Sequence, residues 1–116
     1  MHHCTIFGVA LGLLLGAARP AAAQTPDGQA LYRQHCRSCH GLKGVPPRAL
    51  LSVYSGLVSF TDSLFAATAS EQEIVSVLEN GSGKDMKSFR DKLTKEEMVA
   101  VAAYVRTLAD PAAASP

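Results

Sequence analysis

Residues 36–40 read Cys36-Arg37-Ser38-Cys39-His40, and the reading of this stretch decides the fold. Two thiols three positions apart on a helical turn reach the two vinyl groups of one haem and form thioethers with them. The next residue, His40, then lies under the iron and offers it a neutral imidazole nitrogen. Three other readings compete. A thioredoxin-type dithiol requires a strand–helix–strand setting, and no stretch of the chain keeps a strand period. A zinc site requires a second Cys/His pair; beyond the first 23 residues the only other histidine is His35, which adjoins the motif and would compete with its thiols. An ordinary disulfide is the third, and 3 cysteines are too few for a disulfide framework. The motif therefore points to one covalently attached c-type haem.

An iron held by His40 needs a second axial ligand or keeps an open face. Met86 and Met98 are the candidates. Met98 falls on the apolar face of the last expected helix and reads as a core residue. Met86 ends the glycine-rich run Gly81-Ser82-Gly83-Lys84-Asp85-Met86, where no periodicity calls for a buried methionine. A loop thioether pointing inward is what a distal ligand requires, and His/Met ligation raises the reduction potential of the iron.

Outward from this site the chain is short. It has 116 residues, 47% apolar and 18% charged, with a formal net charge of +1. That is one domain, with no bulk basic field for nucleic acid and too much apolar content for a disordered tail. Residues 6–18 (IFGVALGLLLGAA) form an uncharged run of 13 residues, shorter than the roughly 20 needed to cross a bilayer. Ala21 and Ala23 meet the small-residue rule for signal peptidase, which predicts a cleaved signal peptide over residues 1–23, an exported, periplasmic protein, and a domain over residues 24–116. An anchor that is not cleaved is the alternative, because the only positive groups ahead of the run are the α-amino group, His2 and His3. After cleavage, basic and acidic residues balance at 10 each.

Helices are expected from local signals. Thr25-Pro26 supplies an N-cap and a proline at the first helical position, for a helix to about Cys36. Ser70 with Glu73 forms a capping box, and Asn80-Gly81 ends that helix. Thr94 with Glu97 forms a second box for a helix to about Ala109, with Met98, Val101, Ala102, Val105 and Leu108 as its buried stripe. A shorter helix covers residues 62–68. Residues 41–60, broken by Gly and Pro, read mostly as loop, and the tail after about residue 110 as flexible. Three or four such helices bury too little surface alone; another group must fill the middle.

Taken together, Gly28-x-x-Leu31-Tyr32, Cys36-x-x-Cys39-His40-Gly41, Pro46-Pro47, the loop from Gly81 to Met86-x-x-Phe89, and Tyr104-Val105 resemble a class I (monohaem, His/Met) cytochrome c over residues 25–109. The resemblance implies an all-α cytochrome c fold wrapped around one covalently bound haem. It also implies a close crossing of the first and last helices at Gly28, beside Tyr32 and Tyr104. A carbonyl of Pro46 or Pro47 would accept the other N–H of His40 and make the imidazole a better donor. One departure stands out: Lys87 follows Met86 where many relatives have proline, which predicts a less rigid ligand loop.

The implied function is single-electron transfer without enzymatic turnover, between redox protein partners. Lys84, Lys87, Arg90, Lys92 and Lys95 form a candidate basic rim for acidic partners, and Arg48, Tyr54 and Ser55 are candidates for holding a haem propionate. The alternatives are a dedicated cytochrome subunit of a dehydrogenase or oxidase complex, and a haem sensor or peroxidase-like enzyme with an open iron face.

Overall fold

The computed structural model describes residues 23–110. The signal peptide read over residues 1–23 (Ala23 apart) and the tail after residue 110 lie outside the described residues. Six helical segments follow in order: α1 (Gly28–His35), α2 (Arg37–His40), α3 (Arg48–Leu51), α4 (Ser63–Thr68), α5 (Glu71–Asn80) and α6 (Lys95–Ala109). No strand is present among the described residues; Ser82 and Met86 pair in an isolated antiparallel bridge.

The two capping boxes form as the sequence predicts. Glu73 N–H donates to Ser70 Oγ at 3.2 Å and Ser70 N–H to Glu73 Oε2 at 2.8 Å. These hydrogen bonds hold the Glu73 carboxyl below its usual range, the backbone bond contributing most. In α6, Thr94 and Glu97 exchange bonds of 3.2 and 2.7 Å. Gly81, at φ 77°, stops α5.

One expectation is corrected. The first helix starts at Gly28 rather than at Thr25-Pro26, because Asp27 is the N-cap and accepts from Ala30 N–H at 3.1 Å. A carboxylate caps orphan amides more strongly than a threonine hydroxyl. Residues 41–60 are mostly loop, as expected, with one helical turn over Arg48–Leu51 directly after Pro47. Elsewhere that stretch is turn and loop.

α6 is the spine. It packs against α1, α4 and α5, and its face of Met98, Val101, Ala102 and Val105 is buried, with Leu108 half-buried beside it. Tyr32 from α1, Leu78 from α5, and Phe60 and Leu93 from the connections complete the core. The α1–α6 crossing is a backbone contact: a Cβ at Gly28 would overlap the Ala100 carbonyl. Tyr104 lies one turn further along α6, its ring 5.3 Å from that of Tyr32 in an edge-on arrangement.

Gly28→Ala separates two opposing effects. Helix propensity alone would stabilise α1 by about 0.8–1 kcal/mol. The new methyl group meets backbone, which cannot swing aside, so net destabilisation of about 1–3 kcal/mol is expected. A fall in the urea midpoint of the haem-loaded protein checks this; a rise would mean the helices are not in contact there.

Candidate haem pocket

Between α2, α5, α6 and the loops lies a cavity of about 760 Å³, within the range of about 300–1,000 Å³ typical of small-molecule and cofactor sites. Its walls are mainly apolar: Phe60 and Phe65, Ile74, Val77 and Leu78 from α5, Phe89 from the loop, and Val101 and Val105 from α6. Cys36, Cys39, His40 and Met86 all line it. The four residues singled out by sequence therefore meet at one site, contributed by segments some 46 positions apart in the chain. Met98 is buried in the core and is not among the lining residues.

The local geometry of the cysteine motif comes from a break between α1 and α2. Cys36 caps both helices, its N–H donating to the Tyr32 carbonyl at 2.8 Å and its carbonyl accepting from His40 N–H at 2.9 Å. Cys36 is buried and Cys39 exposed, and both are free thiols. Burial, with the Cys39 charge second, pushes the Cys36 thiol up to about 11, so it stays protonated near neutrality. Burial also lowers the pKa of His40 and keeps the imidazole neutral, the form that ligates iron. Among the described residues no three His, Cys, Asp or Glu side chains converge on a point that would hold a bare metal ion. This donor set suits a group that brings its own metal.

Just past His40, Gly41 turns the chain at φ 76°, where a Cβ would overlap the Val45 carbonyl. Tyr32, fully buried, donates its O–H to the Gly41 carbonyl at 2.7 Å. Burial drives its phenol pKa upward, with the Cys36 charge second, so the donor proton is permanent. His40 does not make the bond implied by the resemblance. Its Nδ1 is buried without a hydrogen-bond partner, and neither Pro46 nor Pro47 accepts from it. The imidazole stacks on Phe60, with centroids 4.7 Å apart and planes at 16°. Phe60, in a stretch read as loop, is the site residue that sequence reasoning missed.

The Met86 loop is tied down without proline. Ser82 N–H donates to the Met86 carbonyl at 2.8 Å and Met86 N–H returns to Ser82 at 3.3 Å. Gly81 lies so close that a Cβ would meet the Met86 carbonyl oxygen at 2.5 Å. Behind the methionine, Phe89 N–H reaches the Leu78 carbonyl at 2.8 Å, and Ser88 Oγ and Arg90 Nε both donate to the Glu79 carbonyl. Lys87 Nζ donates to the Lys84 carbonyl.

The five basic residues separate. Lys84, Lys87 and Lys92 are exposed and line the cavity. Arg90 is engaged by the C-terminal end of α5, donating to Glu79 and to Asn80 Oδ1. Lys95 faces a different groove, with Glu71, Glu79 and Val99. Tyr54 and Ser55 line the cavity, whereas Arg48 on α3 is not among the lining residues.

A helical chain closed on an apolar cavity with a paired-thiol turn and a facing methionine is the arrangement of a c-type cytochrome, and the comparisons agree. The structure is similar to that of the KustC0563 c-type cytochrome, with a TM-score of 0.64 and 35% identity over 71% of this chain and 96% of that one. The chain is 34% identical to chloroplastic cytochrome c6 of Chlamydomonas reinhardtii over 103 residues, 87% of this chain and 66% of that protein. Over 36 residues, 31% of this chain, it is 61% identical to dihydro-heme d1 dehydrogenase of Pseudomonas aeruginosa, of which it spans 7%. The family described as cytochrome C oxidase, cbb3-type, subunit III matches residues 23–105, and the chain belongs to this family of class I c-type cytochrome domains. Its cofactor is covalently bound haem c, and the chain spans 7% and 66% of the lengths of the two curated relatives.

Tyr32→Phe tests the support of the histidine turn. It removes the 2.7 Å bond to the part-buried Gly41 carbonyl and leaves that oxygen only the longer 3.4 Å bond from Gly44 N–H, which should cost about 0.5–1.5 kcal/mol, read as a lower melting temperature of the haem-loaded protein with unchanged haem content.

Proposed function

We propose that this protein is an exported carrier of single electrons, in which Cys36 and Cys39 hold the haem through thioethers and His40 and Met86 occupy its two axial positions. The observation that carries this reading is the meeting of all four side chains on the wall of one apolar cavity. When bound, the haem supplies a one-electron ferric/ferrous couple. The chain's own residues do the rest. Phe65, Ile74, Val77 and Val105 keep water away, which favours the state of lower charge. The Met86 thioether, soft and neutral, favours the reduced iron over the oxidised. With both axial positions filled, no substrate reaches the iron, and the reactions served belong to the partners.

Lys84, Lys87 and Lys92 would form the basic rim that draws acidic partners to the cavity mouth, a narrower set than the five basic residues of the sequence. Export follows from the small-residue cleavage site after Ala23 in the sequence. Among the described residues no helix is long and apolar enough to cross a membrane. A second reading, a dedicated subunit of a larger redox complex, is favoured by the oxidase-subunit description of the matched family. Co-purification at fixed stoichiometry with one dehydrogenase or oxidase would decide for that role.

Two experiments follow. Haem should remain on the polypeptide through acid-acetone extraction, and Cys36→Ala or Cys39→Ala should greatly reduce accumulation, since a group that binds only the folded chain stabilises it. Free extraction of haem would refute the attachment. Met86→Ala should abolish the weak far-red charge-transfer band of ferric thioether ligation and lower the potential. Met98→Ala should keep the band and lose about 2–5 kcal/mol of stability, as for other buried methionines. Exchanged outcomes would make Met98 the ligand.

A further inference from the structure

The last carbonyls of an α-helix have no partner within the helix and must find donors elsewhere. At the end of α5, Gly81 N–H donates to the Val77 carbonyl at 2.7 Å. The carbonyls of Leu78 and Glu79 are served by the chain returning from the methionine loop. Phe89 N–H donates to Leu78 at 2.8 Å, while Ser88 Oγ and Arg90 Nε both donate to Glu79, the arginine at 2.9 Å. The other arm of the guanidinium, Nη2, donates to Asn80 Oδ1 at 3.2 Å. The Asn80 amide is itself oriented by bonds to the Ser76 carbonyl and hydroxyl. Arg90 N–H donates to Ser88 Oγ at 3.2 Å and closes the set.

Met86 lies between the two ends of this loop, which leaves α5 at Gly81 and comes back to the same helix end at residues 88–90. Lys87 gives the backbone after the methionine a freedom that a proline would remove. The bonds that follow it restrain the loop from outside. Glu79 and Arg90 are not among the residues lining the haem cavity, so this restraint is built behind the pocket wall. Arginine suits the place. Its planar fork offers two donors in fixed geometry, its charge strengthens the bonds it makes, and a cation is favoured at the negative end of the helix dipole.

We propose that Arg90 is a positioning residue for the distal ligand: its guanidinium clamps the return of the methionine loop to the end of α5 and so keeps the Met86 sulfur on the iron. This rests on Met86 being the distal ligand. Opening of the clamp is the motion that frees the distal face, because the sulfur must leave before another ligand enters.

The test uses the haem-loaded ferric protein and cyanide. Since cyanide binds after the sulfur leaves, its binding rate at saturating concentration reads the opening of the loop. A wild type without the far-red band would refute the ligand reading itself. With the band present, Arg90→Ala should retain it and bind cyanide about tenfold faster, on the scale of the charge-assisted bonds it loses. Arg90→Lys keeps the positive charge but not the fork, and should open nearly as fast as Arg90→Ala. Met98→Ala, which truncates a core residue outside the cavity lining, should keep the wild-type rate. A wild-type rate in Arg90→Ala would overturn the inference and leave the ligand reading standing. A wild-type rate in Arg90→Lys would also overturn it, since charge alone would then suffice. Equal acceleration in Met98→Ala would do the same, by reducing the effect to a general loss of stability. If Arg90→Ala does not accumulate, Arg90→Lys decides.

Discussion

The backbone of Gly28 lies against the carbonyl of Ala100, and the haem pocket is laid out from that contact. Two helices meeting without intervening side chains have little freedom to slide or rotate against each other. α1 delivers Cys36, Cys39 and His40 at its far end through the break at Cys36, while α6 presents Val101 and Val105 to the same space. The position of the thiols relative to the opposite wall is thus set by a backbone contact that adjoins Val101 of that wall. α5 then closes against the other side of α6 and carries the methionine loop past the Gly81 turn.

A domain of this size has little apolar surface to bury, and this one spends much of it around a cavity. The described core comprises few large side chains, with Tyr32, Leu78, Met98, Val101 and Val105 almost wholly shielded. The haem therefore completes the core as well as performing the redox chemistry. The same apolar walls serve both ends: they stabilise the folded chain, and they exclude the water that would favour the oxidised iron.

What the sequence revealed divides by range. The capping boxes at Ser70 and Thr94 are complete within four residues, and both formed as read. The stripe of α6 was legible because a 3.6-residue period requires no knowledge of the partner. The start of α1 was misread by two residues because three consecutive capping signals, Thr25, Pro26 and Asp27, compete, and the carboxylate wins. Phe60 could not be found, since its role depends on a stack across 20 positions of irregular chain. Arg90 and Lys95 belonged to a charge cluster in sequence, yet one is consumed by the end of α5 and the other looks into a separate groove. Charge runs identify a segment's polarity and leave its direction open.

In the proposed function both faces of the iron are covered by this chain, His40 on one side and Met86 on the other, so that only electrons pass. Adding carbon monoxide to the reduced wild-type protein at neutral pH addresses this most directly. The visible spectrum should stay that of a six-coordinate low-spin iron, with no adduct formed on mixing. Rapid and complete formation of the carbon monoxide adduct would contradict it and make the protein a ligand-binding haem protein with an open face.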